Sequence, residues 1–321
     1  MTATFIQSLR RNSFTRQLGA LLPARARRNF ERLLNRKNRA RGIDEALAGA
    51  RAGLDDIEQY ILARPVPLRA PLILISQAHR SGGTLLSQLL DGHPAVAVHP
   101  HELKIGPARS EQWPDVDMGA DAKTCFRLLY EPYTAGLLRR GFSKGEQDPD
   151  RRPFFLVPRI QYRVFLRLMA AEPPQNARDI LDHFFTAYFN AWLNYRGDLR
   201  TKKWIAAFAP RLAHDAGNVA QFFRDYPDGL LIQIVREPKA WFASARRHGA
   251  DSAAKSAEEI LAAWRASAES ILRNRAAYPG QVIVLRFEDL VGSSEPTMRQ
   301  LAQQLGIDYD PILLRPTFNG E

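Results

Sequence analysis

The sequence predicts an α/β protein, a three-layer sandwich around a central parallel sheet, with a helical insertion and an N-terminal helical extension. Two observations carry that expectation. Short runs such as LILI at 72–75 and LLIQIV at 230–235 are apolar on both faces, which is how strands covered on both sides of a parallel sheet read. Helical periodicities lie between such runs, and strands alternating with helices imply parallel crossovers. No internal repeat is present.

Taken in order, residues 1–41 form a basic arm with 11 Lys and Arg and one acid, Glu31. The remaining residues hold 34 basic and 33 acidic side chains, so nearly all of the net charge of +11 belongs to the arm. A general nucleic-acid binder is therefore not implied by the charge, and no specific nucleic-acid partner is expected. An arm of this composition suits an acidic membrane surface or an acidic partner. It also has the Arg-rich, acid-poor character of an organelle transit peptide, and equally that of a solvated tail. Ile43, Leu47, Leu54, Ile57 and Ile61 predict an amphipathic helix over 43–62, within a helix-and-linker segment spanning 42–70. ARPVPLRAP at 63–71, with three prolines, is the linker.

The main domain is expected over 71–321. LILIS feeds a loop, Thr84–Leu90 reads as a helix stopped by Asp91–Pro94, and Ala95–Val98 reads as a second strand. From 101 to 200, Pro- and Gly-containing loops alternate with helices. This stretch reads as a helical insertion into the domain. Its clearest helix, 179–195, carries an aromatic face that reads as core. Further strands are predicted at Trp204–Ala209, Leu230–Val235 and Val282–Phe287, with helices over 218–225, 238–248, 256–277 and 296–305.

Composition narrows the chemistry. Cys125 is the sole cysteine, so no intramolecular disulfide is available, and a reducing, cytoplasmic setting is expected. No apolar run reaches the length of a membrane span. The seven histidines form no helix-spaced HxxxH or HExxH pair, so no metal is expected.

Two segments carry the function. In SQAHRSGGTLLSQLLDGHP, from Ser76 to Pro94, a strand runs through a glycine-containing loop into a helix. Gly82 and Gly83 let backbone N–H groups curl toward an anion, and the helix start at Thr84 favours negative charge. Arg80 adds a planar cationic fork suited to phosphate or sulfate oxygens. The loop lacks the first glycine and the lysine of an ATP-binding Walker loop. In LLIQIVREPKAWFASARRHG, Arg236 stands at a strand's carboxyl edge, Pro238 opens a helix, and Ser244 lies two turns on. An Arg and a Ser placed there could hold a second anion beside the first. AVAVHPHELKIGP follows the second strand and offers His99, His101 and Glu102 as candidate bases.

Together with VIVLRFEDLVGSSEPTMRQLAQQLGI at 282–307, these segments resemble the sulfotransferases that use 3'-phosphoadenosine 5'-phosphosulfate (PAPS), whose fold is P-loop NTPase-like. RSGGTLL…LDGHP is most similar to the bacterial, Golgi-type and tyrosylprotein members. The resemblance implies that Arg80, Ser81, Gly82, Gly83, Thr84 and Leu85 cradle the 5'-phosphosulfate, and that Arg236 and Ser244 hold the 3'-phosphate. It implies sulfuryl transfer from PAPS as co-substrate, without a metal, and Glu102 as general base, with His101 next. Arg80 would act as an electrostatic clamp. The acceptor could be a carbohydrate, a lipid, a peptide or a small phenol.

Two departures stand out. Phe208 occupies a position where the family often has lysine, leaving Arg211 as the candidate replacement charge. The chain ends at RPTFNGE, whereas related enzymes continue into a loop over the 3'-phosphate. Two other readings are a P-loop NTPase or small-molecule kinase using ATP, and a non-catalytic interaction protein acting through the basic arm.

Overall fold

The computed structural model describes residues 55–105, 112–131, 152–247 and 256–321, with positions 42, 44, 45, 49 and 53. The basic arm, 1–41, lies outside the described residues. The chain divides into two units, Met1–Tyr60 and Ile61–Glu321. In the first, the described positions from 42 to 60 are helical, in line with the apolar spacing there.

The second unit is built on five parallel strands: β1 (Leu72–Ile75), β2 (Val96–Glu102), β3 (Trp204–Phe208), β4 (Leu230–Val235) and β5 (Val282–Arg286). Their order across the sheet is β2-β3-β1-β4-β5, and every pairing is parallel. β1 is therefore central. The chain leaves it toward one edge to form β2 and β3, then crosses back over it to form β4 and β5. In open sheets of this type ligands bind at the carboxyl ends of the strands, where the winding direction changes.

Strand alternation sorts the core into two layers. Leu72 and Leu74 of β1, Ala207 of β3 and Leu231 of β4 face one side. There they meet α3 (Pro158–Ala171), α4 (Ala177–Ala191) and α5 (Ala216–Asp225). Ile73, Ile75, Ala206 and Ile232 face the other side, against α1 (Gly83–Leu90) and α9 (Ser294–Gln304). The expected three layers are thus present. The aromatic residues of α4 are core, as their spacing implied: Phe184 and Phe185 are fully buried. Truncating side chains so enclosed costs about 2–5 kcal/mol each, so the sheet is a stiff platform for its loops.

Among the described residues the unit also has α2 (Ala122–Leu129), α6 (Pro238–Arg247), α7 (Ala257–Ala277) and α8 (Phe287–Gly292). The largest departure from expectation lies in β2, which runs to Glu102 and not to Val98. Val98 pairs with Ala206 and Glu102 with Phe208, so β2 fits four steps against two on β3. The extra residues make a bulge that re-aims the side chains at the strand's end.

Candidate active site

β1 ends at Ile75, while its neighbour β4 runs on to Val235. The chain after β1 therefore folds back into a loop at the sheet's carboxyl edge. Arg80 and Gly82 both take left-handed backbone, φ 65° and 102°, the alternation that turns successive N–H groups into an anion-binding concavity. Gly82 is also the N-cap of α1. No side chain caps this helix, and its first turn carries no acid. The first-turn N–H groups thus lack a side-chain acceptor and carry the helix's partial positive charge.

Packing explains the two glycines further. A Cβ at Gly82 would sit 2.5 Å from the Phe287 ring, and one at Gly83 would run into Gln77 Nε2 and the Phe208 ring. Both residues are pressed against aromatic rings that line the same cleft. Phe287 stands directly after β5, in the third sequence segment, yet its apolar character gave no hint of a site role.

The second element closes on the first. Arg236 Nη1 donates to the Arg80 carbonyl at 2.9 Å, and its guanidinium stacks over the Phe287 ring at 4.2 Å. Arg236 Nε is buried with no hydrogen-bond partner. Arg80 Nε in turn donates to Ser244 Oγ at 3.3 Å. Arg80, Arg236 and Ser244, 164 residues apart in sequence at the extremes, thus form one connected group.

Side chains of the later helices hold these loops in place. Trp241 Nε1 donates to the His79 carbonyl at 2.8 Å, and Trp264 Nε1 donates to the Arg236 carbonyl at 2.9 Å. The Ala78 N–H donates to Ser267 Oγ at 3.1 Å, and the Glu237 N–H donates to Glu288 Oε1 at 2.9 Å. None of these four was legible beforehand, because a tryptophan or serine on a helix face reads as packing and a glutamate as a solvated surface residue.

The result is a cleft of about 260 Å³ lined by His79, Arg80, Gly82, Gly83, Thr84, Glu102, Phe208, Arg236 and Phe287. Of the loop residues expected to hold an anion, Ser81 is buried beneath the surface and the Leu85 side chain packs into the core below. Ser244 reaches the group through Arg80. Phe208 lines the cleft with an apolar ring. Arg211, the candidate replacement charge, is not among the lining residues; its backbone is left-handed (φ 62°) and its N–H donates to the Gln77 carbonyl at 2.9 Å.

Glu102 enters the cleft from the end of β2, held by its pairing with Phe208. Its Oε2 lies 3.4 Å from Lys104 Nζ, at the surface, with the lysine exposed and the Glu102 side chain half-buried. Such pairs are worth about 0–1 kcal/mol, so the carboxylate is readily released to another partner. His99 and His101 do not reach the cleft. Both rings are buried and face Glu131, with Nε2–Oε2 distances of 3.0 and 3.7 Å. Burial, followed by the neighbouring His99, pushes the His101 pKa down to about 4. Glu102 thus lines the cleft, whereas the His101 imidazole faces Glu131.

No curated protein matches the chain. Among solved structures it is similar to the sulfotransferase domain from the curacin biosynthetic pathway, at 18% identity over 77% of each chain and a TM-score of 0.47. It is also similar to the sulfotransferase domain of the Synechococcus PCC 7002 olefin synthase, at 19% identity over 79% of each chain and a TM-score of 0.44. A sulfotransferase from Alicyclobacillus acidocaldarius is 16% identical over 76% of this chain and 87% of its own, with a TM-score of 0.40. The stronger result is the match to a family described as the sulfotransferase family, over residues 71–311. That stretch holds the whole sheet, the anion loop and the Arg236 element, and by it the chain belongs to the sulfotransferase family.

Proposed function

We propose that the protein transfers a sulfuryl group from PAPS to a hydroxyl or amine of an acceptor, with Glu102 as general base. The observation that carries the reading is the hydrogen-bonded joining of Arg236, Arg80 and Ser244, which links the glycine loop to the Arg236 element. A donor with separate 5'- and 3'-charged groups needs two such elements. A simple nucleoside monophosphate needs one.

In this reading the first-turn N–H groups of α1, with Thr84 and Arg80, hold the 5'-phosphosulfate. Arg236 and Ser244 take the 3'-phosphate. Glu102 accepts the acceptor's proton as the acceptor oxygen or nitrogen attacks sulfur. The bond from sulfur to the bridging oxygen breaks in line, and adenosine 3',5'-bisphosphate departs with the electron pair. Charge gathers on the bridging and equatorial oxygens, where fixed donors stabilise it most. Arginine keeps its proton throughout, so Arg80 clamps and does not donate. Phe208 places an apolar wall beside the sulfuryl position, and exclusion of water there disfavours hydrolysis of the donor.

The test is transfer from sulfur-labelled PAPS to a panel of carbohydrates, lipids, peptides and phenols. Labelled product should form with at least one class. Glu102→Gln should lower kcat by about 10²–10⁴-fold while adenosine 3',5'-bisphosphate still binds as tightly. A Glu102→Gln enzyme that transfers at the normal rate would remove Glu102 from the chemistry.

A further inference from the structure

The end of β2 brings together a group of side chains that the transfer reaction does not use. His99 and His101 stand two residues apart, and Glu131 follows α2. His99 Nε2 lies 3.0 Å from Glu131 Oε2, and His101 Nε2 lies 3.7 Å from the same oxygen. The two imidazole rings meet edge to face at 4.3 Å. Side-chain exposure is 0% for His99, 5% for His101 and 1% for Glu131.

The outer contacts set which atoms face inward. His99 Nδ1 lies 2.9 Å from the His101 carbonyl, and His101 Nδ1 lies 2.9 Å from the Glu102 carbonyl. A carbonyl only accepts, so each Nδ1 carries the hydrogen, and in a neutral ring Nε2 then carries a lone pair. Glu131 is oriented as well: its Oε1 accepts the Lys104 N–H, leaving Oε2 toward the histidines. Among the described residues, neither His99 Nε2 nor Glu131 Oε2 has a hydrogen-bond partner. A lone-pair nitrogen and a carboxylate oxygen 3.0 Å apart in a dry interior repel each other, unless a second proton on His99, which makes the two an ion pair, or a metal ion lies between them.

We propose that His99, His101 and Glu131 bind a divalent transition-metal ion of the zinc type, in a structural site separate from the cleft. The donor set is two borderline nitrogens and one oxygen, which suits zinc; calcium and magnesium prefer all-oxygen cages. Metal-bound histidines characteristically pass their other N–H to a carbonyl, and ligating carboxylates are themselves hydrogen-bonded; both features are already in place. Two ligands of a tetrahedral zinc lie about 3.3 Å apart, and the distances of 3.0 and 3.7 Å bracket that value. All three ligand atoms fall within 4.8 Å of one another. An ion here would tie the end of β2 to the end of α2. The proposal concerns binding and stability, and it does not rest on PAPS or on Glu102 as base.

The full-length protein, stripped with a chelator and then equilibrated with Zn²⁺ and desalted, should retain about one equivalent by elemental analysis. Its Tm should rise on loading. Co²⁺ in place of Zn²⁺ should give visible absorption bands of a low-symmetry, four-coordinate site. Glu131→Gln and His101→Gln should each weaken retention at least about tenfold. Wild-type protein that retains no stoichiometric Zn²⁺ would overturn the proposal in favour of a shared proton between His99 and Glu131. So would variants that retain as much metal as wild type. The wild-type measurement is decisive even where a variant does not fold. Adenosine 3',5'-bisphosphate binding by zinc-free protein reports separately on the cleft.

Discussion

Gly83 shows how one residue serves two demands. In the proposed function the loop needs a residue without a side chain so that its N–H groups can approach an anion, and the Phe208 ring needs the same space. The sequence pattern disclosed the first demand. The second depends on a ring 125 residues away and is visible only once β3 is laid beside β1. Gly83→Ala should therefore cost about 1–3 kcal/mol by overpacking, read by denaturant unfolding. Combining it with Phe208→Ala should recover part of that loss, as coupled neighbours do; strictly additive effects would show that the two do not share the space. Phe208 contributes an apolar wall, and the positive charge of the cleft rests on Arg80 and Arg236.

Among the elements, long periodic segments were legible and short or interrupted ones were not. β4 and α7 follow from continuous apolar runs and 3.6-residue spacing. α8 has six residues, too few for a period to show. The end of β2 reads HPHE, and a proline among polar residues looks like a turn. It is instead a bulge whose histidines turn inward to Glu131. The loops of the site are held by α6 and α7 through bonds that no local pattern encodes. The short turn Leu212–His214 after β3 belongs to the same frame: Arg273 Nη2 donates to the His214 carbonyl at 2.7 Å. Burial, with Arg211 next and then Arg273, pushes the His214 pKa from an ordinary 6.5 to about 4. As pH falls below 6.5 the unfolded chain binds the proton first, so this group's contribution to stability is lost progressively between about 6.5 and about 4. His214→Gln should flatten the stability profile across that interval. A variant profile parallel to wild type would show that His214 does not titrate differently on folding.

At the scale of the whole molecule, the central position of β1 places the anion loop beside the end of β4, and so beside Arg236. Order along the chain suggested this pairing, but distance did not: Arg80 and Arg236 are 156 residues apart and touch through a carbonyl. Glu102 was nameable as a candidate from its place after the second strand. Its preference over His101 depends on the β2 bulge. If the Ile61–Glu321 unit alone carries the site, removing residues 1–41 should leave adenosine 3',5'-bisphosphate affinity within about twofold, since every described residue that lines the cleft lies in that unit. Loss of binding would instead give the basic arm a role at the donor. The most direct test of the account is calorimetric titration with adenosine 3',5'-bisphosphate and with 5'-AMP, on wild type and Arg236→Ala. A charge-assisted contact to a phosphate is worth about 1.5–3 kcal/mol, so the bisphosphate should bind at least about tenfold more tightly than 5'-AMP, and Arg236→Ala should erase most of that difference. Equal affinities in wild type, or a preference for the bisphosphate that survives in Arg236→Ala, would contradict a 3'-phosphate site built on Arg236.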